Sequence, residues 1–335
     1  MESLGFGIDE MLIECSYSRV GCGSDDFEHT ISPEFGNCYT FNSGRLRNGT
    51  RVSLKKSFFP GIKMGLSLTL STGTSPTTMK TEGIILFIHN ASTKPSSNID
   101  FIDLTTGHST NIAVKQEYTI KLPRPYSNCA GPSLKSSYNT ALFKKTLSLF
   151  GKYQQKSCLN LCYYEYIKQR CDCYFPDMYG IKYSEACNLN DTTLDCINRF
   201  FNQYINSNEP LKCFDLCPEE CETISYDYQI SQAKFPTQFY FSNFLEPLYP
   251  DLETFEIGKQ STLAVNIFFN DIMITVIEDT KKKTFQQLLA EVGGFLGLCL
   301  GASFLTTVEL AEILVKIIFL IKEKKTNDKS TSPKM

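Results

Sequence analysis

Val292-Gly-Gly-Phe-Leu-Gly-Leu-Cys-Leu-Gly-Ala-Ser-Phe-Leu-Thr-Thr-Val308 is a run of 17 residues without a charge. That is just short of the roughly 20 apolar residues a helix needs to span a bilayer. Continuing past Glu309, Glu312 and Lys316 through Ile317-Ile-Phe-Leu-Ile321 lengthens the stretch to about 30 residues, roughly 45 Å of helix. Gly293, Gly297 and Gly301 recur every four residues and so share a helical face that admits close neighbours. On one continuous helix, Glu291, Leu298, Ala302, Leu305, Glu309, Glu312 and Lys316 fall along a single stripe. Carboxylates at membrane depth are costly and face partner helices or a water-filled path. Symmetric copies of such a helix concentrate cations in acidic rings. Interfacial carboxylates reaching the inner headgroups are the competing reading.

Outside this stretch cysteine is the strongest signal. The 335-residue chain has 14, and 13 precede residue 222. A reducing compartment does not keep so many thiols paired, so residues 1–284 are expected outside the cell. Sequons at Asn48-Gly-Thr, Asn90-Ala-Ser and Asn190-Asp-Thr agree with that placement. Lys281-Lys-Lys283 and Lys322-Glu-Lys-Lys325 flank the apolar stretch on both sides, so basic charge alone does not orient it. The cysteines and sequons do, and they place 322–335 in the cytoplasm of a plasma-membrane protein. Met1-Glu-Ser-Leu-Gly opens with polar sequence and no apolar signal core. An oxidised region without a route into the lumen leads us to expect the C-terminal portion of something longer.

Several functions are disfavoured. A net charge of −3 with scattered Lys and Arg gives no nucleic-acid footprint. Three histidines leave little for metal or acid–base sites. There is no Gly-x-Ser-x-Gly, His-Glu-x-x-His or phosphate-binding glycine loop. No catalytic residue, resident metal or cofactor is therefore expected, and the protein does not read as an enzyme.

The region before 285 reads as mixed α and β. Strands are expected at Gly83–His89, Glu117–Leu122 and Leu263–Asn270, helices at Leu4–Glu14, Ser157–Arg170 and Gln238–Pro247, and loops at 71–78 and 91–98. Ten cysteines in one cluster allow on the order of hundreds of pairings. Cys-x-Cys and Cys-x3-Cys spacing also admits zinc, against which stand the sequons and the lack of nearby histidine.

The segment Gly293–Leu310, with its Gly-Gly-x-x-Gly-Leu-x-x-Gly-x-Ser pattern and following acid, resembles the second transmembrane segment of the degenerin/epithelial sodium channel superfamily. Glu10–Cys15, Cys22, Gly36-Asn-Cys-Tyr-Thr-Phe-Asn42, Leu122–Cys129, the cysteines of 158–173 and 213–221, and Ala264–Asn270 extend the resemblance over nearly the whole chain. It implies an α+β fold: a disulfide-rich extracellular domain of palm, β-ball, knuckle, finger and thumb, followed by one C-terminal transmembrane helix. The implied division is finger to residue 40, β-ball and palm strands 41–128, laddered thumb 129–221, knuckle and palm strands 222–284, the second transmembrane helix with the pore 285–321, and a tail 322–335. It implies pairs Cys15–Cys22, Cys129–Cys221, Cys158–Cys217, Cys162–Cys213, Cys171–Cys196 and Cys173–Cys187. Cys38 would pair upstream of this sequence, and Cys299 would sit in the membrane.

The resemblance further implies a selectivity filter at Gly301, Ala302 and Ser303, where the helix is interrupted. It implies a gate at Ala290-Glu291, pore-lining acids Glu309 and Glu312, and Tyr126 coupling thumb to membrane. The implied function is a subunit of a sodium-selective, amiloride-sensitive-type channel, a homo- or heterotrimer with related subunits in membrane lipid. Sodium is the permeant species and no cofactor is used. Acid-sensing members carry carboxylates where this chain has Asn198, Asn202, Asn270 and Thr275. An amide does not titrate, so gating by an extracellular peptide ligand, or constitutive opening, is expected over gating by protons. A non-conducting, membrane-anchored ligand-binding ectodomain is the alternative. The 335 residues by themselves are expected to pass no current, because a first transmembrane helix is not among them.

Overall fold

The computed structural model describes residues 5–32, 35–73, 82–91, 93, 101–131, 140–174, 186–188, 190–249, 252, 254–301 and 304–330. They form two compact units, Met1–Asp279 and Thr280–Met335.

The first unit is built on a six-stranded sheet. In chain order its strands are β1 (Leu12–Tyr17), β2 (Val20–Gly21), β5 (Leu66–Ser71), β8 (His108–Ile120), β9 (Glu222–Lys234) and β10 (Thr262–Glu278). Their order in space is β2-β1-β5-β10-β8-β9. β10 pairs antiparallel with β5 on one side and parallel with β8 on the other. Hairpins β3 (Phe27–Ser32) with β4 (Gly36–Phe41), and β6 (Ile84–Phe87) with β7 (Phe101–Leu104), stand apart from the sheet.

Period-two alternation explains the core, because successive side chains of a strand point to opposite faces. Ile112 and Val114 of β8, Leu263 and Val265 of β10 and Leu68 and Leu70 of β5 are buried together with Phe27, Ile102 and Leu104 from the hairpins. Across the sheet a polar row answers them: Ser67 Oγ donates to Asn266 Oδ1, and Asn266 Nδ2 donates to Asn111 Oδ1 at 2.8 Å. Close approach is needed at Gly65, where an added Cβ would lie 2.1 Å from the Ile267 carbonyl oxygen.

β8 and β9 are register partners to their ends, Ile120 opposite Glu222, so the chain between them is an insertion with a narrow neck. The neck is tied by Lys121 N–H to the Cys221 carbonyl, Cys221 N–H to the Ala130 carbonyl and the Cys129–Cys221 disulfide. Counting the short α1 (Ile8–Met11) first, the insertion holds α2 (Ala141–Phe150), α3 (Gln155–Cys171), α4 (Asp191–Ile205) and α5 (Glu209–Leu216). Thr140 caps α2 through the Phe143 amide, and Asn190 caps α4 through the Thr193 amide. Returning past β9, the chain makes α6 (Gln238–Tyr240), a π-turn Phe241–Leu245, α7 (Phe255–Ser261) and then β10.

The strands expected at 83–89, 117–122 and 263–270 are present: the first is the shorter β6, the second is covered to Ile120 by the end of β8, and the third lies within β10. The helix expected over Leu4–Glu14 is only the four residues of α1, after which the chain turns extended. Pairing with β5 accounts for this: Leu12 to Tyr17 lie opposite Leu70 to Leu66, and tertiary pairing overrides a short helical spacing. Gln238–Pro247 is a short helix passing into a π-turn rather than one regular helix. Most of the expected loops at 71–78 and 91–98 lie outside the described residues.

Tyr240 donates to Glu14 Oε2 at 2.9 Å, joining α6 to β1. Burial, and then that carboxylate, push its phenol up to about 12. The folded state holds this proton while the unfolded chain releases it near 10, so stability is fully present below pH 10 and falls as pH rises through about 12. Tyr240→Phe should reduce the alkaline slope of unfolding free energy, measured by urea titration at stepped pH; an unchanged slope would contradict the assignment. Ile112 and Ile230 face each other across the ladder, yet Ile112 is 0% and Ile230 46% exposed. Ile112→Ala should cost about 2–5 kcal/mol and Ile230→Ala roughly 1 kcal/mol or less. Tyrosine fluorescence during unfolding can follow both, as the chain has no tryptophan.

Candidate functional site

The second unit begins with a designed-looking helix start. Thr284 Oγ1 accepts from the Gln287 amide and Gln287 Oε1 accepts from the Thr284 amide, a reciprocal cap that opens α8 (Phe285–Leu300). Ala290 and Glu291 lie in its second turn, and Glu291 pairs with Lys283 ahead of the cap. Gly293 and Gly294 face open space: a Cβ at either would meet nothing within 4 Å. Large apolar side chains along the helix are exposed, Leu298 by 91%.

α8 stops at Gly301. Its φ of 62° and ψ of 17° are left-handed, and its N–H turns back to the Leu296 carbonyl. Glycine takes this conformation at little cost, whereas a Cβ there crowds the following carbonyl. α9 (Phe304–Ser330) follows. Ala302 and Ser303, the rest of the triplet, lie outside the described residues.

The helix expected over 285–321 is interrupted at Gly301, where the resemblance implies a break. The uncharged run 292–308 is shared between two helices, and among the described residues no helix is long and apolar enough to cross a membrane. The single stripe from Glu291 to Lys316 is broken for the same reason, since a left-handed residue resets the helical phase. Within α9 the spacing survives over Leu305, Glu309, Glu312 and Lys316. Glu312 Oε1 lies 2.7 Å from Lys316 Nζ, in the orientation that suits the helix dipole. Its charge is thus partly met within its own helix. α9 also runs nine residues past Ile321, into the segment expected as a polar tail.

In the first unit the six disulfides are Cys15–Cys22, Cys129–Cys221, Cys158–Cys217, Cys162–Cys213, Cys171–Cys196 and Cys173–Cys187. These are the pairs that the resemblance implies, and they engage the sulfurs that the zinc reading needs. Cys158 and Cys162 sit one turn apart on α3, facing Cys217 and Cys213 one turn apart at α5, with Cα separations of 5.7 and 5.9 Å. Cys38 and Cys299 are free thiols, and half-burial pushes the Cys38 thiol up. Asn198 and Asn202 are exposed on α4, Asn270 and Thr275 lie on β10, and Tyr126 is 57% exposed. Asn48 and Asn190 are exposed, whereas Asn90 is half-buried.

The two ion pairs were not anticipated. Glu312 and Lys316 carry the i,i+4 signature, but Lys283 and Glu291 are eight apart and meet only because the cap turns the chain. A concave patch of about 360 Å³, lined by Glu14, Cys15, Ser16, Ser67 and Thr69 on β1 and β5, had no motif to announce it.

The sequence model of the family described as amiloride-sensitive sodium channel matches residues 1–313. The mouse (Mus musculus) epithelial sodium channel subunit beta is 26% identical over 333 residues, covering 95% of this chain and 49% of its own length. Subunits alpha and gamma of Neoceratodus forsteri are 24% and 26% identical, covering 93% and 95% of this chain and 46% and 48% of theirs. The chain spans about half the length of these curated relatives.

The left-handed residue yields a direct test. Gly301→Ala should destabilise the helix break by about 1–2 kcal/mol, and Gly301→Asn by less, because asparagine tolerates that conformation. Thermal unfolding in detergent measures both, and equal effects would count against the left-handed turn.

Proposed function

The chain belongs to the amiloride-sensitive sodium channel family, and from that premise we propose that it is one subunit of a sodium-selective, amiloride-sensitive-type cation channel. The family consists of ion channels, not enzymes. The observation that carries the reading is the interruption between α8 and α9 at Gly301. A left-handed glycine removes side-chain bulk and leaves carbonyls at the end of α8 without helical partners. Carbonyls of that kind, ringed by several subunits, can replace part of an ion's hydration shell. In this reading Gly301, Ala302 and Ser303 form the filter and sodium is the permeant ion, with no cofactor.

Glu309 and Glu312 follow the break on α9 and attract cations to its far side. Lys316 weakens that role for Glu312, so Glu309 carries the larger share. Ala290 and Glu291 form the gate, where the open surroundings of Gly293 and Gly294 give neighbouring helices room to cross. Relatives named as alpha, beta and gamma subunits support assembly with related subunits, and we take the assembly to be a trimer in the plasma membrane. Residues 1–284 face outward and 322–335 inward. Asn198 and Asn202 are exposed amides on α4, which supports opening by an extracellular peptide, or constitutively, over opening by protons.

Voltage clamp of the full-length protein, alone and with related subunits, tests this. An inward sodium current blocked by amiloride and insensitive to mild acid is expected. Gly301→Ala should lower discrimination between sodium and potassium by about tenfold, equivalent to ~1.4 kcal/mol. Unchanged selectivity in Gly301 and Ser303 variants would remove the filter assignment. Absence of current in every combination would leave the membrane-anchored, ligand-binding ectodomain as the better reading.

A further inference from the structure

We infer that the concave patch between β1 and β5, on the polar face of the sheet, binds an organic cation rich in N–H donors, a primary ammonium or a guanidinium. Such a site does not depend on how the channel opens.

Strand register builds its wall. Glu14 and Ser16 are two apart on β1 and share a face, opposite Thr69 and Ser67 of β5. Cys15 between them turns its side chain to the other face, into the disulfide with Cys22 and against the core. These five residues line a concavity of about 360 Å³. Thr69 is buried, Ser16 and Ser67 are half-buried and Glu14 is exposed.

The protons of the wall are already spent. A carboxylate only accepts, so the Tyr240 hydroxyl at 2.9 Å and the Thr69 hydroxyl at 3.3 Å both donate to Glu14 Oε2. Asn266 gives its Nδ2 to Asn111 Oδ1 at 2.8 Å, which turns its own Oδ1 to Ser67 and makes the Ser67 hydroxyl the donor. What remains on the lining residues is acceptor capacity: lone pairs of Ser67 Oγ and Thr69 Oγ1, and Glu14 Oε1. Among the described residues Glu14 Oε1 and the Ser16 hydroxyl make no hydrogen bond, and Glu14 belongs to none of the ion pairs.

A concavity that accepts hydrogen bonds and carries an uncompensated carboxylate suits a cation that only donates. An ammonium offers three N–H groups and a guanidinium five, with no acceptor on either. An anion is repelled, and a neutral ligand leaves the carboxylate uncompensated. A bare metal ion fits less well. Calcium gathers about 6–8 oxygens, commonly from several carboxylates, whereas one carboxylate lines this space. The volume instead falls in the range of roughly 300–1,000 Å³ typical of small-molecule sites. A free amine and the basic side chain of a peptide present the same group.

The test is saturation-transfer NMR on full-length protein in nanodiscs of neutral phosphatidylcholine, with empty nanodiscs as blank. The probes are n-butylammonium, n-butylguanidinium and N-acetyl-arginine amide, against tetramethylammonium, which has charge but no N–H, and n-butanol, which has a donor but no charge. The first two should compete for one site, and the last two should bind about tenfold more weakly or less, as loss of a charged hydrogen bond implies. Glu14→Gln, which still accepts from Tyr240 and Thr69, should weaken both cations by about tenfold or more. Ser16→Ala removes a hydroxyl that holds nothing in the fold, and should cost about threefold. Binding of the arginine amide as tight as that of butylguanidinium points to a peptide side chain, and binding of the free cations alone to a small amine; either result, lost in Glu14→Gln, sustains the site. Equal binding of tetramethylammonium, indifference to Glu14→Gln in a folded variant, or displacement of both cations by equimolar sodium or calcium chloride overturns it.

Discussion

The pairing of β10 on both of its edges is the constraint on which the rest depends. Over Thr262–Ile267 it is held antiparallel by β5, and from Ala264 onward it runs parallel to β8. That joins segments almost 200 residues apart, and the loop-closure entropy of so long a connection must be offset by what the pairing buries. Leu263 and Val265, with Ile112 and Val114, are nearly inaccessible, and each buried aliphatic side chain contributes on the order of 1.5–3 kcal/mol. The polar row of Ser67, Asn266 and Asn111 fixes register on the other face, because a slip by one residue would bury the amides and expose the aliphatics.

The helical insertion is organised by another rule. α5 has 8 residues, α2 10, α4 15 and α3 17, and all but α3 are at or below the length of about 12–15 residues that holds a helix in isolation. Their buried residues fall into three small clusters rather than one core. Rungs between facing turns of α3 and α5 supply what packing does not, each closure restricting the unfolded chain by roughly 2–4 kcal/mol in a model-dependent way. Tyr153, packed on Phe143 and bonded to the Pro218 carbonyl, fills the space beside the Cys158–Cys217 rung.

Much of this was legible in the residues, and the parts that were not share a cause. The strand signals of Ile84–Phe87 and Leu263–Asn270 could be read because their neighbours in sequence carry the alternation. Leu12–Tyr17 could not, because its extended state is imposed by β5, more than fifty residues away. At the candidate site, glycine spacing and Glu309 were visible, but hydropathy counts charges and does not see φ. From hydropathy an uncharged run reads as one helix whether or not a left-handed residue divides it, and only the family resemblance of the Gly301-Ala302-Ser303 triplet pointed to the break. Lys283 and Glu291 were hidden by the same blindness to chain direction, since only the turn at Thr284 brings them together.

That divided run constrains where it can lie. In hydrocarbon an unpaired backbone carbonyl costs several kcal/mol, so broken helices persist there only when buried in protein or facing water. The break at Gly301 follows a helix whose Leu298 and Phe295 are exposed by 91% and 68% and whose Gly293 and Gly294 leave open space where a Cβ would stand. A lone chain meets neither condition: its apolar flank asks for lipid or other helices, and its broken backbone asks for water or polar partners. In the channel reading proposed above, several copies of α8 and α9 enclosing a wet axis would meet both demands together, with the apolar flank outward and the end of α8 inward. The helix break and the carboxylates of α9 would then serve that one arrangement by independent chemistry.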